Sequence, residues 1–154
     1  RKYSDRLAVE TFESNQNSGF RKLFNYISGN NKLNTKISMT TPVTRTEKNG
    51  NMTMQFYLPS KFNQESAPDP SNNEVKLVNV EGGYYAVIRY SGRASDKNFI
   101  KHKEILEKTL IKNNISIISP PIRATYDSPF TLPMNRRNEA MFKIKLNWWK
   151  NFLN

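Results

Sequence analysis

The sequence predicts an α+β fold, a distorted antiparallel β-barrel with two α-helices and a pseudo-twofold internal repeat. Three observations predict it. The order strand, helix, strand, strand occurs twice, at corresponding points of the two halves. Runs of period-two alternation are interrupted by two apolar stripes of helical spacing. Neither half offers more than one helix against a few strands, too little to close a core alone, so the halves must share one sheet. A length of 154 residues is that of one domain. Hydrophobic residues are only 36% of it, but the 12% that are aromatic let large rings supply much of the core.

In the first half, Tyr3 to Ser14 alternates as a strand with Leu7, Val9 and Thr11 on one side. A polar loop, NQNS, leads to Ser18, a good N-cap. Phe20, Leu23, Phe24 and Ile27 then fall at i, i+3, i+4 and i+7, one stripe of a helix that Gly29 ends. Ile37 to Thr46 reads as a strand, Asn49-Gly50 as a hairpin turn, and Met52, Met54, Phe56 and Leu58 alternate along the returning strand. The second half repeats the order. Val75 to Val80 and Tyr84 to Tyr90 are strands joined at Gly82-Gly83. Asp96 caps a helix from Lys97 to Lys112 with Phe99, Leu106 and Leu110 as its stripe. Ile115 to Ile118 and Ile122 to Tyr126 form a strand broken by Pro120-Pro121, and Met141 to Leu146 is the last strand. Pro42 and Pro59 mark strand ends. The domain spans 1–145, with halves 1–62 and 74–145 joined by a Pro-, Asn- and Ser-bearing linker. Residues 146–154 are a C-terminal extension.

Composition excludes several chemistries. Without cysteine there are no disulfides, thiolate metal sites, iron–sulfur clusters or cysteine nucleophiles. The net charge of +11 attracts phosphates, anionic lipids or acidic partners in general. The charges are scattered, and the densest group, Lys97 to Lys112, shares its helix with Asp96, Glu104 and Glu107. No nucleic-acid motif accompanies them, so no nucleic-acid partner is expected. No apolar run approaches the ~20 residues of a membrane span, and no signal peptide is visible. A soluble monomer is expected, of unknown compartment. The sequence starts at Arg1 without Met, so a further N-terminal piece, with any targeting segment, is expected outside it.

No catalytic constellation stands out, and the expectation is a protein that is not an enzyme. The single histidine, His102, borders the stripe of the second helix without metal co-ligands or a nucleophile elbow, and reads as structural. No acidic pair is spaced as helical metal ligands, so no metal site is expected. Arg136-Arg137-Asn138-Glu139 reads as a turn whose charges pair with backbone and neighbours to fix the last strand. The tail KLNWWKNFLN places Trp148, Trp149, Phe152 and Leu153 with Lys145 and Lys150, a set suited to a membrane interface, a partner, or the barrel mouth.

Several segments, in this order, resemble the SOUL family, also called the haem-binding protein family: RKYSDRLAVETFES, GFRKLFNYISGNN, KISMTTPV, FYLPSKF, EVKLVNVEGGYYAVIRYSG and YDSPFTLPMNRRNEA. The resemblance covers Arg1 to about Lys145. It implies a distorted barrel with two helices and a shallow apolar tetrapyrrole cleft beside the first helix. Carried over by position, Phe20, Leu23, Phe24 and Ile27 with Phe130 supply the platform, and Arg21 and Lys22 meet the propionates. Of these, Phe24 is expected in the core, and Arg21 and Lys22 at the surface. Asn25 and Thr131 stand where some haem-binding relatives carry lysines. Phe130 stands for a Trp and Ser128 for a Pro. No histidine stands near the first helix, so haem would be held without a strong axial protein ligand. The function implied is noncatalytic binding of haem, another tetrapyrrole or a flat amphipathic ligand, for buffering or delivery. The alternative is a protein-interaction module on the same fold, with the tail or helix groove as contact surface.

Overall fold

The structure, a computed structural model, describes residues 1–13 and 18–147. Its elements run β1 (Lys2–Tyr3), β2 (Arg6–Glu13), α1 (Ser18–Ile27), β3 (Val43–Lys48), β4 (Asn51–Tyr57), β5 (Lys76–Val80) and β6 (Gly83–Tyr90). They continue with α2 (Asp96–Lys112), β7 (Ser116–Ile117), β8 (Ile122–Thr125), a 3-10 turn at Pro133–Asn135 and β9 (Asn138–Lys145). Every strand pairing is antiparallel, in the order β1-β6-β9-β8-β3-β4-β2-β5, with β7 added on β9.

The ladders close this order into a distorted barrel. β1 meets β6 with Lys2 opposite Tyr84, and β2 meets β5 with Glu10 opposite Lys76. Both ladders keep one register, so residues 2–10 act as one line against residues 76–84, interrupted only where the two lines cross. Gly82 sits at the crossing, where a Cβ would stand 2.4 Å from the Tyr3 carbonyl oxygen. A side chain there would push the lines apart. The pseudo-twofold relation places β2, α1, β3 and β4 against β6, α2, β8 and β9. The halves meet a second time along β3 and β8, where Arg45 lies opposite Arg123.

Each helix covers the strands of its own half, α1 on β2 and β4 and α2 on β6, β7 and β9. The first half encloses Val9, Leu23, Tyr26, Ile27, Ile37, Met54, Phe56, Leu58, Ala67 and Val75. The second buries Leu106, Leu110 and Phe142, with Ala86, Ile88, Ile115, Ile117 and Ile144 partly covered. The segment 63–73 is more than a connector. Ala67 and Pro68 are buried in it, Pro68 accepts the Tyr26 hydroxyl at 2.6 Å, and Pro70 bridges Asn31.

Two local expectations change. The strand expected from Ile37 begins only at Val43. The Ile37 N–H is taken by the Ile27 carbonyl at 2.8 Å, and the Thr40 hydroxyl donates to the Tyr57 carbonyl, so residues 37–42 wrap the end of α1 instead of joining the sheet. The cap of α2 is Ser95, not Asp96: its Oγ accepts the Asn98 N–H at 3.2 Å, leaving Asp96 to pair with Arg123. Gly82-Gly83 joins β5 to β6 as expected, and the two strands follow one another along one line. The turn at Asn49-Gly50 is as expected, with φ of 51° and 77°.

Candidate functional site

Helix α1 is only 10 residues long, and its stripe divides between two surroundings. Leu23 and Ile27 face inward and are buried in the core, so they support a platform from beneath rather than forming its surface. Tyr26, absent from the expected stripe, is also buried. Phe20 and Phe24 point outward, 39% and 46% exposed, which overturns the expectation that Phe24 is core. Their rings are near parallel, 13° apart with centroids at 5.9 Å, and Phe20 rests edge-on against Phe56 at 5.3 Å. Burial accounts for Leu23, Tyr26 and Ile27; it does not account for two large rings left stacked in water.

The cations beside them differ. Arg21 is exposed, whereas Lys22 is half-buried and pairs with Glu74 at 2.9 Å. Phe130 is 95% exposed on the loop between β8 and β9, and among the described residues it makes no ring contact with Phe20 or Phe24. Leu132 and Met134 of that loop are exposed as well. Arg136 anchors the loop, its Nε donating to the Thr131 carbonyl at 2.7 Å and its Nη2 to the Pro129 carbonyl.

The RRNE segment is structural. Glu139 is fully buried, yet it accepts Arg1 at both oxygens at 2.8 Å, Arg137 at 2.8 Å and the Tyr126 hydroxyl at 2.9 Å. Burial pushes its carboxyl up, and the hydrogen bonds from Arg1, Arg137 and Tyr126 together outweigh burial and hold it below the usual range. Burial and the bond to Glu139 push Tyr126 up to about 12.

A groove that the motifs did not mark lies over the β3–β8 junction. Its volume is about 570 Å³, with Glu13, Arg45, Met52, Phe99, Ile100 and Arg123 among its walls. Arg45 donates to Glu13 at 3.2 Å and Arg123 to Asp96 at 2.7 Å, so each of the two facing arginines turns to an acid of its own half. Glu13 is raised by burial, opposed by the Arg45 charge, and its Oε1 has no hydrogen-bond partner among the described residues. The sequence did hold a signal for it. Glu13 continues the alternation of Leu7, Val9 and Thr11, so it had to share their covered face.

The model of the SOUL heme-binding protein family matches residues 1–143. The chain belongs to this family. It is 26% identical to heme-binding protein 1 of Xenopus laevis over 152 residues, 94% of this chain and 78% of that protein. Among solved structures, the EcmrR C-terminal domain superposes with a TM-score of 0.69 at 10% identity, covering 94% of both chains. A hydrolase from Listeria innocua does so with a TM-score of 0.66 at 9% identity, over 94% of this chain and 90% of that one. At such identities the likeness is one of fold.

The residues fit the flat, apolar part of a tetrapyrrole, since two parallel exposed rings present a face to it and Arg21 stands beside them. Iron coordination is a separate matter. His102 stacks on Tyr90 on α2, with ring centroids 4.1 Å apart, and its Nδ1 lies 2.7 Å from the Asn98 carbonyl oxygen. Among the described residues no three His, Asp or Glu side chains group as a metal site, and no helix is long and apolar enough to cross a membrane. Trp148, Trp149, Lys150, Phe152 and Leu153 lie outside the described residues.

Proposed function

We propose that this protein binds haem or another flat amphipathic tetrapyrrole without catalysis, on the outer face of α1, to buffer or deliver it. The stacked Phe20–Phe24 pair carries this reading, as exposed parallel aromatics in a member of a heme-binding family. Leu23 and Ile27 hold the helix against the core so that the pair is rigid. Phe130 folds against the far face of the ring. Arg21 takes a propionate by a charge-assisted bond. Lys22 contributes second, because it must first leave Glu74. A bound haem would bring its iron; the chain's residues bind and orient the ring.

Hemin titration in the Soret region tests this. Phe20→Ala and Phe24→Ala are expected to weaken binding with little change in melting temperature, and Arg21→Glu to weaken hemin more than its dimethyl ester. Unchanged binding in both Phe variants would reject the site. The exposed Phe130, Leu132 and Met134 favour a second reading, a protein-interaction module. In that case the wild-type chain gives no saturable hemin signal.

A further inference from the structure

We infer that the barrel lumen is a binding site for a small oxyanion, a carboxylate or phosphate group, held by Arg6. This site lies apart from α1 and does not depend on the tetrapyrrole reading. The lumen opens as a cavity of about 320 Å³ lined by Arg6, Gln55, Tyr57, Tyr85, Met141 and Lys143, among others. Arg6, the first residue of β2, enters it with its guanidinium carbon 4.0 Å from the Tyr57 ring centre and 4.5 Å from that of Tyr3.

Arg21, Arg89 and Arg93 are exposed to water; what sets Arg6 apart among the arginines that are not exposed is the lack of any acceptor among the described residues. Arg1 and Arg137 share Glu139, Arg45 has Glu13, Arg123 has Asp96, and Arg136 has two backbone carbonyls. Arg6 makes no hydrogen bond or ion pair among the described residues, and its Nε is buried without a partner. Aromatic faces stabilise the positive charge but accept none of its five N–H donors well. The acids nearby are engaged elsewhere: Glu10 accepts the Gln55 amide at 2.8 Å, and Glu81 holds Lys143 at 3.4 Å. A planar fork held against two rings, with its donors unspent, is pre-organised for bidentate contact with a carboxylate or phosphate. The Tyr57 hydroxyl, whose contact with Thr44 is a long 3.4 Å, stands as a second donor.

The experiment follows the Arg6 Nε–H resonance of ¹⁵N-labelled protein during titration with sodium phosphate and, separately, sodium acetate, at ionic strength held constant with chloride. The expected result is a saturable shift of that resonance with at least one anion, and the anion that produces it identifies the head group. In Arg6→Gln, which lacks that resonance, the backbone amide shifts of Tyr57 and Tyr85 replace it as the readout in both proteins, and the dissociation constant should rise about tenfold, as loss of one charge-assisted pair implies. At one fixed concentration, phosphate or acetate, whichever binds, should raise the melting temperature of the wild type and of Lys108→Gln equally, and that of Arg6→Gln by less. Should Arg6→Gln fail to fold, Arg6→Lys replaces it, keeping the charge without the fork, with weakened binding expected. No saturable shift with either anion overturns the proposal, as does equal affinity in the Arg6 variant.

Discussion

The two halves share one plan and differ in how their helices are covered. Over α1, the wrap of residues 28–42 and the connector 63–73 bring Ile37, Ala67 and Pro68 into a core that also holds Tyr26, Met54 and Phe56. Over α2 no such cover exists among the described residues, and the longer helix, 17 residues, leaves Ile100, Ile105 and Ile111 exposed while burying only Leu106 and Leu110. The sheet ladders repeat because backbone pairing cares little about side chains. The cores do not repeat, because loop residues Ile37, Ala67 and Pro68 close only the first one. Duplication here sets topology, while irregular segments decide where stability is concentrated.

The comparison breaks most readily at the buried leucines. Leu23→Ala is expected to cost about 4 kcal/mol and Leu106→Ala about 2 kcal/mol, since the more enclosed site cannot collapse around its cavity. Chemical denaturation of both variants checks this, and equal losses would mean that the halves are equally packed. Glu139→Gln should come next, at about 3 kcal/mol, below the upper range for a broken buried ion pair because Arg1 and Arg137 still reach water.

The two buried glutamates sharpen the contrast through pH. Glu139 has a lowered carboxyl, so its contribution is present above the ordinary carboxylate value and is lost as pH falls through the folded value. Glu13 is raised, so its contribution is full below the ordinary value and is lost as pH rises through the folded value. Melts of Glu139→Gln across the acidic range should show a weakened acid transition. Glu13→Gln should instead flatten the decline towards neutrality, by less than about 1 kcal/mol given the partial offset by Arg45. A Glu13 variant with the wild-type profile would show that its burial has no titration consequence. Smallest is His102→Ala, which should leave the Soret titration unchanged; an abolished Soret shift would move the site to α2.

Much of this architecture was legible in the residues. The repeat, both helices, the Asn49-Gly50 turn and the structural role of Arg137 and Glu139 follow from periodicity, turn chemistry and charge. What stayed hidden depends on contacts between distant segments. Residues 37–42 have the composition of a strand, and only the competing carbonyls of Ile27 and Tyr57 keep them out of the sheet. The stripe of α1 gave four apolar positions but not their division, because Phe56 and the connector decide which rings are covered. Phe24 thus looked like core by spacing and lies at the surface by packing. The lumen arginine was illegible for the same reason. Nothing in the order of residues 1–13 says that Glu10 and Glu81 will be occupied.

The single register shared by residues 2–10 and 76–84 bears on how the protein would answer to a cut chain. The halves are stitched along two seams, this ladder and that of β3 with β8, and neither seam runs through the connector 63–73. Asn63, Glu65 and Ser66 are exposed there, so a protease has access to the connector without touching a strand. Cleavage at that point would convert an intramolecular barrel into a two-chain complex held by hydrogen-bonded edges. The two fragments should co-elute, and each alone would carry two unpaired sheet edges with a strong tendency to find one another.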